Sequence, residues 1–268
     1  MVRSYRFAIN KQEDLIDPAN KIITTRKQNL IHQLIKVLRV GEAESHPIEL
    51  IDGYSNNIYQ VKLINEIDKK ILKKLDFEIT GIINSEKELE TKVHFYLPII
   101  KNENFELMLR KLCELGVSEF TPISFKYSQR KYLRKLKEHA YQERLLKIIE
   151  SATEQCNGSV FAKLNPAIDF SDFVNQDHKQ SSTDLKIYAS EKLADSSSTL
   201  FLTESTNTLR KLAAEIRELT FLVGPEGGLC NEEINTLERM GFLPLSLGKR
   251  ILRAETAAIV LMSKFDLG

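Results

Sequence analysis

Two glycine-centred turns near the carboxyl end carry most of the chemistry that this 268-residue sequence offers. The apolar run Phe221-Leu222-Val223 empties into Gly224-Pro225-Glu226-Gly227-Gly228. A second run, Pro244-Leu245-Ser246-Leu247, ends at Gly248 and continues as Lys249-Arg250-Ile251-Leu252-Arg253-Ala254-Glu255-Thr256. Each reads as a buried strand that turns sharply into a helix, the rim at which open α/β sheets bind ligands. Glycine lets the backbone approach a ligand closely and expose its N–H donors. Neither turn has the spacing of a dinucleotide fingerprint or a P-loop. Glu226 argues further against phosphate, because a carboxylate inside the turn repels an anion and favours a cation or a neutral hydrogen-bonding ligand. The sulfonium of S-adenosylmethionine, with its adenine and ribose, suits such a pocket better than a nucleoside triphosphate.

The elements that must hold these turns fall into two patterns. Up to residue 83, short candidate strands alternate with turns: Ile48–Ile51 leads into Asp52-Gly53, residues 58–64 alternate at period two, and Phe77–Ile83 continues the alternation. That pattern predicts a small β-barrel. Asn84–Glu90 is polar, and the domain division is set at 1–75 for the barrel, 76–91 for a linker and 92–268 for the second domain. From residue 92 strands alternate with helices. Val93–Leu97 is a strand, Phe105, Leu109, Leu112 and Leu115 mark a helix closed by Gly116, and further strands fall near 120–123, 184–189 and 199–202. Such alternation predicts an α/β domain with a mostly parallel sheet.

Composition bounds the function classes. An apolar fraction of 42% and a charged fraction of 28% are those of a globular domain. No apolar stretch approaches the roughly 20 residues of a bilayer span, and the start carries no apolar signal core. Cys113, Cys156 and Cys230 are far apart, which suggests neither a disulfide framework nor a zinc site. His32, His46, His94, His139 and His178 have no metal-ligand spacing, so no metal is expected, and the expected location is cytoplasmic. The net charge is +1, but Lys126–Lys147 holds eight Lys and Arg against Glu138 and Glu143. A patch of that kind is either a solvated helix face or an electrostatic footprint for phosphates.

FLVGPEGGLCNEEI (Phe221–Ile234) followed by LSLGKRILRAETAA (Leu245–Ala258) resembles the signature of the RsmE-type ribosomal RNA methyltransferases of the SPOUT superfamily. Weaker similarities extend over most of the chain, at Arg3 and Arg6, at Val37-Leu38-Arg39, at Lys101, Glu106 and Lys111, at Glu114–Glu119 and at Ala152–Cys156. The chain departs from the family pattern at Gln33, Asn102, Asn104 and Asn157-Gly158. The resemblance implies an N-terminal PUA-like β-barrel that binds RNA and a C-terminal SPOUT domain whose last segment forms a trefoil knot around the cofactor. It implies S-adenosylmethionine contacts from Leu202-Thr203-Glu204, Gly224–Gly228, Leu245, Leu247, Gly248, Ile251, Leu252 and Thr256. Arg3, Arg6, Arg39 and Lys101 become candidates for RNA contact. A homodimer is implied too, with small-subunit ribosomal RNA, assembled in the 30S subunit, as substrate.

The implied reaction, methylation of uridine N3, needs stabilisation of an imide anion. A guanidinium offers a permanent charge and paired donors to a carbonyl oxygen, which makes Arg253 the first candidate. Glu255 is placed to orient it, Glu226 is the other carboxylate of the pocket, and Thr256 is a candidate helix cap. Two readings stay open beside this one: a SPOUT methyltransferase with another RNA target, and an RNA-binding assembly factor without turnover.

Overall fold

The alternating N-terminal pattern forms one sheet. A computed structural model describes residues 4–9, 14–38, 47–64, 73–175, 184–190, 200–201 and 216–265. These divide into two compact units. The first comprises Met1–Glu88 together with Thr153–Phe161, and the second Leu89–Ala152 with Ala162–Gly268.

In the first unit the strands are β1 (Tyr5–Ala8), β2 (Asp14–Asp17), β3 (Ile22–Thr25), β4 (Ile48–Ile51), β5 (Asn57–Leu63) and β6 (Leu75–Asn84). Their order in the sheet is β1-β4-β5-β6-β3-β2. β1 runs parallel to β4, and the remaining pairs are antiparallel. Period-two alternation explains β6, where Leu75, Phe77 and Ile79 are buried while Glu78 and Thr80 face outward. The helix α1 (Gln28–His32), extended by a π-helical turn at Gln33–Val37, sends Leu30, Ile31 and Leu34 into the core shared by Phe7, Ile23, Leu50 and Phe77. The segment expected as a linker over 76–91 is therefore largely strand. The unit's first stretch ends at Glu88 rather than at residue 75, because β6 supplies core side chains to both β5 and β3.

The return segment Thr153–Phe161 completes this unit. The Phe161 amide donates to the Gly53 carbonyl at 2.8 Å, and the Glu154 carboxylate accepts from the Ala8 amide at 2.7 Å. Arg6, opposite Glu49 in the β1–β4 register, donates to that carboxylate through Nη2 at 2.7 Å and Nε at 3.1 Å, and through Nη1 to the Asn157 and Gly158 carbonyls. Its side chain is only 6% exposed. Gly53 sits at φ +73°, at the turn where Asp52 accepts the Tyr54 and Ser55 amides.

In the second unit the strands are β7 (Lys92–Pro98), β8 (Glu119–Ser124), β9 (Lys163–Leu164), β10 (Ile168–Asp169), β11 (Asp184–Ser190), β12 (Leu200–Phe201), β13 (Glu218–Leu222) and β14 (Leu243–Ser246). They form a parallel sheet in the order β10-β8-β7-β13-β11-β14-β12, with β9 beside β8. The helices are α2 (Asn102–Glu114), α3 (Arg130–Leu136), α4 (His139–Cys156), whose last turn from Thr153 belongs to the first unit, α5 (Phe170–Asn175), α6 (Asn231–Arg239) and α7 (Ala254–Ser263). Alternate strand residues feed two cores, as a parallel sheet covered on both faces requires. Tyr96, Leu222 and Tyr188 pack with Phe173 of α5 and Leu237 of α6. The neighbouring Phe95 and Phe221 stack at 5.6 Å, and Phe265 closes on Phe221 at 4.9 Å just beyond α7. α2 buries Phe105, Met108, Leu109 and Leu112, the spacing of one helix face, and ends as expected where Gly116 takes φ +86°. None of the described helices is long and apolar enough to cross a membrane.

The seat of Gly53 generates a stability prediction. A Cβ there would stand 2.0 Å from the Phe161 ring, in a backbone conformation that L side chains avoid. Strain and overpacking together predict that Gly53→Ala loses about 2–4 kcal/mol in chemical denaturation. Adding Phe161→Ala should recover part of that loss, a coupling that a double-mutant cycle reads directly.

Candidate active-site cleft

Three neighbouring strands of the second unit end side by side, and the cleft opens at their carboxyl ends. β13, β11 and β14 are adjacent in that order. The loops that follow β13 and β14, with Tyr188, Ala189 and Ser190 at the end of β11, line a cavity of about 360 Å³, within the range of small-molecule sites.

The first wall is the turn after β13. Val223 is the last fully buried residue of that run, and Pro225 keeps the chain from continuing as a strand. The Gly228 amide donates to the Pro225 carbonyl at 2.8 Å, and Gly228 takes φ +72°, so the turn closes in four residues. α6 then starts under the control of Glu233. This carboxylate is 5% exposed; it accepts the Cys230 amide at 2.9 Å and the Lys126 amide at 2.7 Å. One buried side chain thus fixes both the start of α6 and the loop after β8. That loop returns Tyr127 to Gly227, where an added Cβ would lie 2.8 Å from the Tyr127 Cβ.

The second wall is the turn after β14. Leu245 and Ser246 are buried, and Gly248 turns the chain at φ +117°. A Cβ built on Gly248 meets no atom of the described residues within 4 Å, so none of them fills the space beside this cleft-lining residue. Lys249 and Arg250 are exposed and Ile251 is 80% exposed, while Leu252 is partly buried. Arg253 is the N-cap of α7: its carbonyl accepts the Ala257 amide at 2.8 Å, and its side chain is exposed. The guanidinium forms no ion pair with Glu226, with Glu255 or with any other described residue. α7 itself is rich in alanine, which lets it lie close against the sheet, with Ala254, Ala257 and Ala258 buried.

Of the residues expected at the site, Gly224, Pro225, Glu226, Gly227, Gly228, Leu247, Gly248, Ile251, Leu252 and Arg253 line the cleft. Glu226 is exposed at its rim. Leu245 is buried within β14 and does not line the cleft. Glu255 points into the protein; its Oε2 is buried and has no hydrogen-bond partner among the described residues. Thr256 is exposed in the first turn of α7, away from the lining, and the cap position belongs to Arg253 instead. Leu202, Thr203 and Glu204 lie outside the described residues, as do Arg3 and Arg39. Arg6 does not face solvent as an RNA contact requires, since Glu49 and two carbonyls consume its donors. Lys101 is exposed and paired with Glu103 at 2.8 Å.

Tyr188, Ala189 and Ser190 were not singled out from the sequence. Their strand was legible, but its place between β13 and β14 follows from long-range pairing that no local pattern carries. Tyr188 donates its hydroxyl to Glu238 at 3.0 Å, and burial pushes its phenol well above the ordinary range. It is therefore a neutral, pinned wall residue and no candidate for a base. Among the described residues no group of three His, Cys, Asp or Glu could hold a metal ion.

Known proteins are similar to this chain in sequence and in fold. The model of the RNA methyltransferase domain family matches residues 87–266. A ribosomal RNA small subunit methyltransferase E of Buchnera aphidicola from Acyrthosiphon pisum is 31% identical over 85% of this chain and 81% of its own. The protein of that name from Mesomycoplasma hyopneumoniae is 29% identical over 97% of this chain and 98% of its own. Among solved structures, a ribosomal RNA small subunit methyltransferase E from Neisseria gonorrhoeae bound to S-adenosyl methionine superimposes with a TM-score of 0.72. It covers 97% of this chain and 96% of that one, at 24% identity, a likeness of fold.

The bridging role of Glu233 is open to measurement. Glu233→Ala leaves the Lys126 and Cys230 amides without their acceptor, and buried unsatisfied donors cost about 1–3 kcal/mol each. Denaturant unfolding should show a loss of at least about 2 kcal/mol for Ala, and a smaller one for Glu233→Gln, which keeps a single carbonyl acceptor.

Proposed function

The chain belongs to the RNA methyltransferase domain family, among the ribosomal RNA small subunit methyltransferases E, and from that premise we propose that it methylates N3 of a uridine in 16S ribosomal RNA with S-adenosylmethionine. The observation that carries the reading is one cleft built from both glycine turns, lined in part by Arg253, which pairs with no acid among the described residues. The lining suits this cofactor. It offers Val223, Leu229, Ile234 and Leu252 for an adenosine and Glu226 as the rim carboxylate for a cationic group, with Lys249, Arg250 and Arg253 on the side of the second turn.

S-adenosylmethionine, when bound, supplies an electrophilic methyl group on a sulfonium sulfur. The residues of this chain must then solve the acceptor's problem. N3 of uracil carries a proton, and its electron pair becomes available only when that proton leaves to solvent. The negative charge spreads onto the flanking carbonyl oxygens. Arg253 is the group able to receive it, because its guanidinium is permanently charged and has no competing carboxylate among the described residues. N3 gains the bond to carbon, the carbon–sulfur bond breaks, and its electron pair stays with sulfur. Arg253 begins α7, whose backbone fixes where the guanidinium originates, and such positioning supplies a large share of rate enhancement in transfers of this kind.

The finer architecture belongs to the same reading. β14 enters the sheet between β11 and β12, two strands that precede it in the chain. That order supports a threaded, knotted C-terminal segment. The six-stranded sheet of the first unit supports a PUA-like RNA-binding domain. A homodimer completed beside the exposed Ile251, and the assembled 30S subunit as substrate, complete the proposal.

Nucleoside analysis of ribosomal RNA from cells with and without the protein tests the reaction. The expected result is loss of 3-methyluridine alone; loss of another methylated nucleoside would move the reaction to a different atom. Arg253→Ala should lower the single-turnover methyl-transfer rate by about 10²–10³, the usual effect of removing one anion-stabilising donor. Cofactor affinity, measured by calorimetry, should change little. An Arg253→Ala enzyme with the full single-turnover rate would remove the arginine from the chemistry.

A further inference from the structure

The loop between β8 and α3 holds an aromatic ring in solvent against the wall of the cleft. Its backbone is tied down on both sides of that ring. Phe125 is buried, the Phe125 amide donates to the Ser128 hydroxyl at 3.0 Å, and the Ser128 amide returns to the Phe125 carbonyl at 3.0 Å. The Lys126 amide is held by the buried Glu233. Between these anchors Tyr127 is 50% exposed. No other aromatic ring stacks on it among the described residues. Its Cβ and Cγ sit where a side chain on Gly227 would otherwise stand, at 2.8 and 3.3 Å. A lone exposed aromatic is ordinary. One on a fixed loop, seated on a cleft glycine, is a preorganised surface.

The charge around it is of one prevailing sign. α3 reads Arg-Lys-Tyr-Leu-Arg-Lys-Leu, with no acid. Arg130, Lys131 and Arg134 have no acidic partner within 4.0 Å among the described residues. Lys126 faces Glu232 at 3.9 Å, an exposed pair that is weak in water. Glu138 is engaged by Lys135, and Glu226 is exposed on the adjoining turn. The Lys126 Nζ lies 5.9 Å from the centre of the Tyr127 ring and the Lys131 Nζ 4.7 Å from that of Tyr132, and an exposed ring on so basic a segment has the chemistry of a single-stranded nucleic-acid platform.

The reaction itself demands such a surface. N3 lies on the pairing edge of uracil, so the acceptor atom is reachable only on a base that is unpaired and out of its stack. Proteins that draw a base from its stack compensate the lost stacking with aromatic faces. Resting on the functional reading above, the geometry points to Tyr127 as a positioning residue that stacks on an unpaired nucleobase of the RNA substrate, with Arg130 and Lys131 holding the adjoining phosphates.

The test uses the full-length protein, small-subunit ribosomal RNA transcribed in vitro, and 30S subunits from cells lacking the enzyme. Tyr127→Ala should weaken RNA binding and raise the RNA KM by about five- to a hundredfold, the range of one lost base stack. Single-turnover rate at saturating RNA and affinity for S-adenosylmethionine should stay near wild type. Tyr127→Phe should restore RNA affinity, because stacking needs the ring and not the hydroxyl. Lys131→Ala should flatten the salt dependence of RNA binding by roughly one unit of slope. Normal RNA affinity in Tyr127→Ala, or failure of Phe to restore it, would overturn the proposal. So would a parallel loss of cofactor affinity, which would make Tyr127 a prop for the glycine turn. A defect on 30S subunits but not on bare RNA would also overturn it and assign the ring to a ribosomal protein. Wild-type protein that binds this RNA but transfers no methyl group would instead sink the functional reading, and the stacking role would still be read from RNA affinity alone.

Discussion

Everything at the cleft depends on three parallel strands ending at one edge with little room to leave it. β13, β11 and β14 are neighbours in register, and a chain leaving such an edge must turn at once. Side chains obstruct that turn, so glycine is used at Gly228 and Gly248, both in backbone conformations that L residues avoid. The consequence is chemical as well as geometric. A wall made of backbone presents donors and acceptors at fixed positions, and a side chain at Gly248 would fill space that the described residues leave open. The strand edge creates the turn, and the turn creates the site.

The first unit shows a different economy of polar groups. Its sheet is closed over by a segment far away in sequence, and the contacts are specific: a carboxylate on the Ala8 amide, a carbonyl under the Phe161 amide, and the donors of Arg6 divided between Glu49 and two carbonyls. Burying a charge is costly unless its hydrogen bonds are met, and loss of one partner of a buried pair typically costs about 3–5 kcal/mol. Arg6 therefore fixes the return segment in one register more than it adds net stability.

What the sequence made legible was local. The glycine turns, the helix face of α2 and the period-two strands are each written in fewer than fifteen consecutive residues, and all are found where expected. Long-range facts were not legible. Tyr188 to Ser190 reach the cleft only because the sheet order puts β11 between β13 and β14. Phe77–Ile83 was legible as a strand, but its pairing with both β3 and β5, which makes it part of the first unit rather than of a linker, was not. Arg6 reads as an exposed cation in a one-dimensional sequence, because its acid is forty-three positions away. Glu233 looks like one of several helix acids, and only the fold shows that it holds the loop after β8 as well.

Two arginines set the limits of what charge can do here. Arg6 and Arg253 carry the same guanidinium; the family resemblance made the first a candidate for RNA contact, and its place after a glycine turn made the second a candidate for the reaction. Arg6 is enclosed, and its donors are directed at acceptors that the protein supplies. A group so satisfied cannot respond to an incoming anion without breaking bonds that cost more to lose than a phosphate in water would return. Arg253 is the reverse case. Helix geometry fixes its backbone at the start of α7, its side chain is exposed at the cleft, and no described carboxylate neutralises it. Neutralisation from within lowers a cation's attraction for developing charge, and none comes to Arg253 from the described residues. Availability, then, rather than the presence of a cation, separates the structural arginine from the one proposed to act in the reaction.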